Sequence, residues 1–196
     1  MPRKVDHHSR RTAIAESAWR LTARGGIEAV TMRHVATDAG MSLGQVQHYF
    51  PTKDELLTFA YDLLTERTAQ RVNHPDPDAE PRDVVHDALV EMLPLDEQRT
   101  RQAHVTLAYL AHAAVAPAMA ARLRKTHADL MDLIVDQLRR GQHRGTVDLD
   151  LDPAREARTL LAVLDGLTAH VLIGNHTATD AEHAFDTHLD DLFTST

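Results

Sequence analysis

Residues 31–57 read TMRHVATDAGMSLGQVQHYFPTKDELL, and this stretch decides the fold of the N-terminal part of the chain. Thr31 is placed to cap one short helix, and Gly40 supplies the backbone freedom for a tight turn after it. Ser42 and Gln45 match the S-x-x-Q form of the capping box, so a second helix is predicted to begin directly after the turn. Two short helices joined in this way form a helix-turn-helix.

The second helix of this pair, residues 43–50, has the composition of a helix that enters the major groove of DNA. Val46 and Phe50 lie four residues apart and would anchor one side in the core. Polar and contact-capable side chains on the other sides suit insertion into the groove, where base edges present donors and acceptors. An ordinary helical corner is the alternative. The contact-capable residues are Leu43, Gln45, Gln47, His48 and Tyr49.

A second capping box, Thr52-Lys53-Asp54-Glu55, follows at once and opens the next helix. Unpaired N–H groups at a helix start attract anions, and the Lys53 ammonium lies beside them. We therefore expect a phosphate anchor next to the recognition helix.

Residues 31–57 together resemble the signature of the TetR family of bacterial repressors, T-x-x-x-I-A-x-x-A-G-V-S-x-G-x-L-Y-x-H/Y-F-x-x-K-x-x-L. They depart from it at Gln47, where the family usually has tyrosine, and at Leu43, which cannot bind a phosphate as a lysine there would. The resemblance implies an all-helical, dimeric DNA-binding regulator.

The resemblance also implies roles for single residues. Packing against the first helix is the alternative for Tyr49, and capping is an equal alternative for Gln45. The implied phosphate contacts are Thr31, Ser42, Tyr49 and Lys53. The implied base contacts are Gln45, Gln47, His48 and Leu43, of which Gln47 suits adenine and Leu43 a thymine methyl group. Arg33 and Gly44 complete the expected DNA-contacting set.

Composition excludes several other classes. Hydrophobic residues make up 43% and charged residues 26%, which is typical of a globular protein, and there is no cysteine. No apolar run is long enough for a membrane span or a signal peptide, so we expect a cytoplasmic protein. The fourteen histidines include no H-E-x-x-H and no pair four residues apart, so we expect neither a metal nor a cofactor. Phosphate-loop, G-x-S-x-G and dinucleotide motifs are also missing, which indicates that the protein is not an enzyme.

Charge is distributed unevenly. Residues 1–55 carry a formal net charge of +2 and the remainder carries −10, which directs nucleic acid toward the N-terminal part. Arg3, Lys4, Arg10 and Arg11 form a basic arm that could reach a minor groove or bind phosphates. The alternative is a solvated, disordered end.

The remaining pattern predicts an all-α chain of about nine helices. Aromatic residues are only 4%, and alternating strand patterns are missing. We expect a helix-turn-helix domain at residues 1–52, with three helices, and a ligand-binding and dimerisation domain at 53–196. Loops are expected at 73–81, which holds three prolines, and between Gly141 and Gly145. The later helices are expected near 82–93, 96–115, 118–141, 153–173 and 178–193.

The last two of these helices carry more apolar surface than one partner can cover. Together with the family resemblance, this surplus of apolar surface predicts a four-helix homodimer interface. The alternative is that both helices pack only in the core of the monomer. The expected interface residues are Leu160, Leu164, Leu167, Val171, Phe185, Leu189 and Leu192.

A small-molecule effector is expected among the helices near 96–115, 118–141 and 153–173. Apolar faces there hold a few polar groups, the composition of a site for a mainly hydrophobic ligand. Hydrogen-bonded core histidines are the plainer interpretation. The expected ligand residues are Met92, Tyr109, His112, Met119, His127, Met131 and Asp165.

These features favour a regulator, most simply a repressor that binds a pseudo-palindromic operator and is released by its effector. Two other classes stay open. A nucleoid-type DNA binder without a ligand would show weak sequence specificity, and an all-helical enzyme would show turnover without salt-dependent DNA binding.

Overall fold

The computed structural model describes residues 2–72 and 78–193, with side chains from His7 onward. Within these residues the chain forms nine α-helices, one 3₁₀ turn at Ile27–Ala29 and no strand, which confirms the all-α prediction. None of the helices described is long and apolar enough to cross a membrane. The helices are α1 (Pro2–Gly25), α2 (Met32–Asp38), α3 (Leu43–Tyr49), α4 (Lys53–Arg71), α5 (Pro81–Val90), α6 (Glu97–Ala113), α7 (Pro117–Arg144), α8 (Pro153–Leu172) and α9 (Ala178–Leu192).

Helix α1 begins earlier than its apolar pattern predicts. It starts at Pro2 and so includes the stretch that was expected to be a basic arm, although Ile14 is the first buried apolar residue among the side chains described. Arg10 and Arg11 therefore lie on a helix and not on a disordered end. The side chains of the other two residues in the expected arm, Arg3 and Lys4, lie outside the described residues, as do residues 73–77 of the expected proline loop.

The first of two compact units comprises Met1–Arg67 and His104–Leu123. Helices α1 to α4 and most of α6 share one core, because each presents an apolar stripe to the others. The predicted boundary between the DNA-binding and the ligand-binding domain lies between residues 52 and 53. The two compact units divide the chain at other positions. The largest fully buried side chains of this core are Tyr109, Phe50, Ile14, Leu56 and Leu57.

The second compact unit comprises Thr68–Ala103 and Arg124–Thr196. Helix α9 contacts both α5 and α8 in this unit. Asp152 caps α8 by accepting from the N–H groups of Ala154 and Arg155, and Pro153 occupies the first turn. The largest fully buried side chains of this core are Phe185, Leu89, Leu93, Ile134, Leu138, Leu160 and Leu164.

The predicted loop between Gly141 and Gly145 is wrong, because α7 continues through residues 141–144 and ends at Arg144. Gly145 ends the helix with φ +75°, and the N–H of Thr146 donates to the carbonyl of Gly141 at 2.9 Å. That bond closes a Schellman motif. Gly141 is small for a packing reason, since a Cβ there would lie 2.5 Å from Cγ2 of Val147.

The expected dimer residues need a correction. Leu160, Leu164, Phe185, Leu189 and Leu192 are buried within the protomer, with exposed fractions of 8% or less. A side chain that has no exposed surface in its own chain has none left to bury against a partner. The other two expected residues, Leu167 and Val171, are half-buried.

Candidate nucleic-acid interface

Helix α2 is capped at both ends as the sequence predicts. The hydroxyl of Thr31 accepts from the N–H of His34 at 3.1 Å. At the other end Gly40 has φ +65°, and the N–H of Met41 returns to the carbonyl of Ala36 at 2.9 Å. The left-handed conformation costs glycine little, so the chain can reverse at Gly40 and begin α3 three residues later.

Helix α3 begins with a complete capping box. The N–H of Gln45 donates to Oγ of Ser42 at 3.2 Å, and the N–H of Ser42 donates to Oε1 of Gln45 at 2.8 Å. The capping role of Gln45 is therefore present in the structure. Its amide nitrogen is not used in the box, and the residue as a whole is exposed.

The two sides of α3 differ sharply in exposure. Val46 and Phe50 are fully buried, as predicted. Gln47 and His48 are exposed, and Leu43 shows 36% of its surface. The helix thus presents polar and apolar contact groups to its surroundings while two side chains hold it to the core.

Gly44 lies on the exposed side in an ordinary helical conformation. Its φ is not positive, and a Cβ added there would meet no atom within 4 Å. Neither backbone conformation nor packing within the chain requires a glycine at this position. The site leaves room for something outside the protomer to approach the backbone.

Tyr49 lies at the end of α3 and contacts the first helix. It is half-buried, and its ring centroid lies 4.9 Å from that of His7 on α1 and 5.3 Å from that of His48. This contact matches the packing alternative for Tyr49.

The start of α4 uses the second predicted capping box in part. The N–H of Glu55 donates to Oγ1 of Thr52 at 3.2 Å. The carboxylate of Glu55 accepts from the Thr52 hydroxyl and not from its backbone. The Nζ of Lys53 donates to the carbonyl of Ile27 at 2.9 Å, which fixes the ammonium near the helix start and uses one of its three N–H bonds.

Helix α2 is attached to α1 by a buried hydroxyl and an ion pair. The carboxylate of Asp38 accepts from Oγ of Ser17 at 2.5 Å and from the guanidinium of Arg20 at 2.6 Å. The Ser17 hydroxyl, more than Arg20, lowers the pKa of Asp38 by hydrogen-bonding to its charged form. Arg33, on the outer side of α2, is exposed.

A concavity of about 490 Å³ lies along the exposed side of α3, and α1 forms part of it. The sequence placed Arg10 in a basic arm that could bind DNA, but it did not predict that this arm is helical and lies beside α3. Spacing within the arm could have shown it, because His7, Arg10 and Arg11 share one face of a helix. The lining residues are Arg10, Met41, Ser42, Gly44, Gln45, His48 and Tyr49.

The expected ligand residues divide between the two compact units. Tyr109 and Met119 are buried in the core of the first unit, and His112 is half-buried on the same helix as Tyr109. The hydroxyl of Tyr109 is buried without a hydrogen-bond partner among the described residues, and burial raises the pKa of this phenol. An unsatisfied buried hydroxyl costs about 1–3 kcal/mol, so it calls for an explanation.

The other four expected ligand residues belong to the second unit. Met92 and Met131 are half-buried against its core, while His127 and Asp165 are exposed. Partial desolvation raises the pKa of Asp165, and the charge of His127 opposes that shift.

Two capped helices around a glycine turn, with polar contact groups on the outside of the second, define a helix-turn-helix DNA-binding module. The family model for bacterial regulatory proteins of the tetR family matches residues 14–58, and that for the C-terminal part of BetI-type transcriptional repressors matches residues 81–194. The chain belongs to the TetR family of DNA-binding transcriptional regulators, which are not enzymes.

Individual relatives agree over most of the chain. The HTH-type transcriptional regulator PksA of Bacillus subtilis is 35% identical over 182 residues, which cover 88% of this chain and 83% of the relative. A transcriptional regulator from Rhodococcus sp. RHA1 is 30% identical with a TM-score of 0.82, covering 93% of this chain and 95% of the other. A regulator from Saccharomonospora viridis, solved in complex with choline, is 24% identical with a TM-score of 0.80, over 92% of this chain and 95% of the other.

Proposed function

We propose that this protein is a ligand-responsive repressor. It binds a pseudo-palindromic operator as a homodimer and is released by a small, mainly hydrophobic effector. The observation that carries the DNA-binding part is the exposed side of α3, where Gln47 and His48 flank a glycine that nothing in the protomer explains. A duplex that approaches the backbone at Gly44 would use that space.

Base reading and phosphate binding fall to different residues of this surface. Gln47 can bond N6 and N7 of adenine in a bidentate way. Lys53 would contact phosphate, held in place by the Ile27 carbonyl. We assign phosphate contacts also to Thr31, Ser42 and Tyr49, and further groove contacts to Arg33, Leu43, Gln45 and His48.

The test begins with an operator selected from a random pool of duplexes. Gln47→Ala should relax preference at one base pair at a cost of roughly 1–3 kcal/mol, while Lys53→Met should weaken all sequences alike and flatten the salt slope. A melting temperature for each variant serves as the folding control. Equal losses on operator and random DNA for both variants would refute the role of Gln47. A pool that yields no preferred sequence would favour a nucleoid-type binder.

The dimer proposal moves to residues that the protomer leaves exposed. On the outer side of α8, Ala162 is exposed, Gly166 is half-buried, and Ile173, at the helix end, shows 67% of its surface. A Cβ at Gly166 would meet nothing within 4 Å, so this glycine also lacks a reason within its own chain. Small residues let two helices approach closely, and the half-buried Leu167 and Val171 would lie at the edge of the contact.

Gly166→Leu should therefore leave the protomer folded and produce monomers by sedimentation at micromolar concentration. Ala128→Leu, which adds bulk to an exposed position of α7, is the matched control and should stay dimeric. A wild-type monomer would refute the dimer, and an undisturbed Gly166→Leu dimer would refute this surface.

The effector proposal rests on the hydroxyl of Tyr109. A ligand with one polar group on an apolar body would satisfy this buried hydroxyl, and Met119 would provide adaptable apolar contact beside it. His112, on the same helix, is a second candidate for orienting the ligand. Met92, His127, Met131 and Asp165 stay predictions for the second unit.

A thermal-shift screen of neutral apolar compounds tests this part, with choline included as a charged comparison. A compound that raises the melting temperature should lose most of its effect in Tyr109→Phe, which keeps the ring. It should also release operator DNA, and by linkage it should bind the operator complex less tightly than the free dimer. A response equal in wild type and Tyr109→Phe would refute the role of the hydroxyl.

A further inference from the structure

Arg11, on α1, has its guanidinium over two aromatic rings. Its Cζ lies 4.6 Å from the ring centre of Phe50 and 4.3 Å from that of Phe59, and the two rings lie 5.3 Å apart. The Cζ is thus almost equally far from both ring centres, and the guanidinium lies between two tilted rings. Such contacts attract a cation and orient its plane, but they leave its in-plane N–H bonds to be used elsewhere.

The charge of Arg11 has no acidic partner among the described residues. Other arginines of the same unit do have one: Arg20 lies 2.6 Å from Asp38, and Arg67 lies 2.7 Å from Glu16. The Nε of Arg11 is also buried without a hydrogen bond. The N–H bonds left to meet an anion are those of the two terminal nitrogens, in a residue that is only half-buried.

The position of Arg11 borders the DNA-facing side of α3. Phe50, one of the two rings that contact the guanidinium, directly follows the last residue of that helix. On the same face of α1, His7 contacts the ring of Tyr49 and Arg10 lines the concavity beside α3. An anion held at Arg11 would therefore lie next to the groove-facing residues.

We propose that Arg11 binds a phosphate of the DNA backbone, through a guanidinium positioned by Phe50 and Phe59. The inference rests on the DNA-binding role of α3 and adds a contact from α1 to it. The planar guanidinium of Arg11 matches the geometry of a phosphate. The two rings already restrict its rotamers in the free protein, so the side chain loses less conformational entropy when it binds. The contact carries no sequence information, so it strengthens binding to every duplex alike.

The test measures the affinity of the full-length protein for a duplex of random sequence, about 30 base pairs long, as a function of salt. Arg11→Met removes the charge and keeps an apolar side chain against the rings. It should lower affinity roughly 10- to 100-fold and reduce the salt slope by about one per subunit. Arg11→Lys should keep the slope but lose part of the affinity, since an ammonium lacks the fork.

Arg67→Met is the matched control. Arg67 also lies over an aromatic ring, with its Cζ 5.1 Å from the ring centre of Trp19, but it has an acidic partner in Glu16. Its salt slope should equal that of the wild type. If Arg11→Met keeps the wild-type slope, or changes it no more than Arg67→Met does, the proposal is overturned and Arg11 only joins α1 to α4. Wild-type protein that fails to bind any duplex would instead refute the DNA-binding role itself.

A measurement on the wild type covers the case in which Arg11→Met does not fold. The Nε–Hε resonance of Arg11, assigned by its loss in Arg11→Lys, should move when the random duplex is added. The resonance of Arg67 should stay in place. An Arg11 signal that is unchanged at saturating duplex would also overturn the proposal.

Discussion

Gly44→Ala should change protein stability and DNA affinity in opposite directions. The new Cβ meets no atom within 4 Å and the backbone is already helical, so the free protein accepts it without strain. Alanine in a helix is favoured over glycine by up to about 1 kcal/mol, less in the first turn. For a chain of this length, the melting temperature should rise by about 1–4 °C.

The same substitution should weaken DNA binding, although it stabilises the free protein. If the duplex approaches the backbone of α3 at this point, the added methyl group overpacks the contact, at roughly 1–3 kcal/mol per recognition helix. That corresponds to about a 5- to 150-fold loss of affinity for one half-site. Calorimetry and fluorescence anisotropy with the selected operator measure the two effects on one sample. A variant that is more stable and binds the operator as tightly as the wild type would show that Gly44 lies away from the DNA.

Three further changes test local features of the fold. Gly141→Ala should lower the free energy of unfolding by roughly 1–3 kcal/mol, because its Cβ would overlap the Val147 side chain; no destabilisation in urea titration would contradict the packing reason. Gln45→Ala should cost up to about 1 kcal/mol by opening half of the capping box, and Gln45→Glu, which can keep the box, is the control. The folded-state pKa of Asp38 is lowered, so its stabilising contribution is full above its unfolded pKa and is lost as pH falls through the folded value. Asp38→Asn should therefore lower stability at neutral pH, because it leaves the buried Ser17 hydroxyl with a weaker partner. It should also reduce the loss of stability as the pH falls into the acid range. A loss of stability in acid as steep as that of the wild type would contradict this account.

The helix-turn-helix could be predicted almost to the residue because its signals are local. Caps at Thr31 and Ser42 and the turn at Gly40 each depend on side chains within a few positions, and all three have the predicted geometry. The role of Gly141 could not be predicted in this way. Its reason is contact with Val147, which depends on how the chain returns after Gly145.

The expectation for five of the seven dimer residues needed correction for a different reason. Periodicity shows that a side chain faces apolar surroundings, but it does not say whether the same chain or a partner provides them. Leu160 and Phe185 pack against other residues of the same protomer. Helices α5 and α7 cover the apolar surface of α8 and α9 that the sequence had left without a partner. Gly166 is a better signal for the dimer surface, since this glycine lies inside the continuous helix α8 and a Cβ there would meet no atom within 4 Å.

Helix α4 offers a physical route from the proposed effector site to the recognition helix within the first unit. The ring of Tyr61 lies 5.8 Å from that of Tyr109, and two residues earlier on α4 the ring of Phe59 contacts Phe50 at the end of α3. A ligand that satisfies the Tyr109 hydroxyl must favour one arrangement of this ring pair, and a packed helix transmits a shift because its core contacts have few alternatives. The loss of operator affinity cannot exceed the difference in ligand-binding free energy between the two arrangements. A 100-fold loss of operator affinity therefore requires a difference of about 2.7 kcal/mol. Amide exchange in α3 that does not change when the effector saturates Tyr109 would show that the two ends of this route are not coupled.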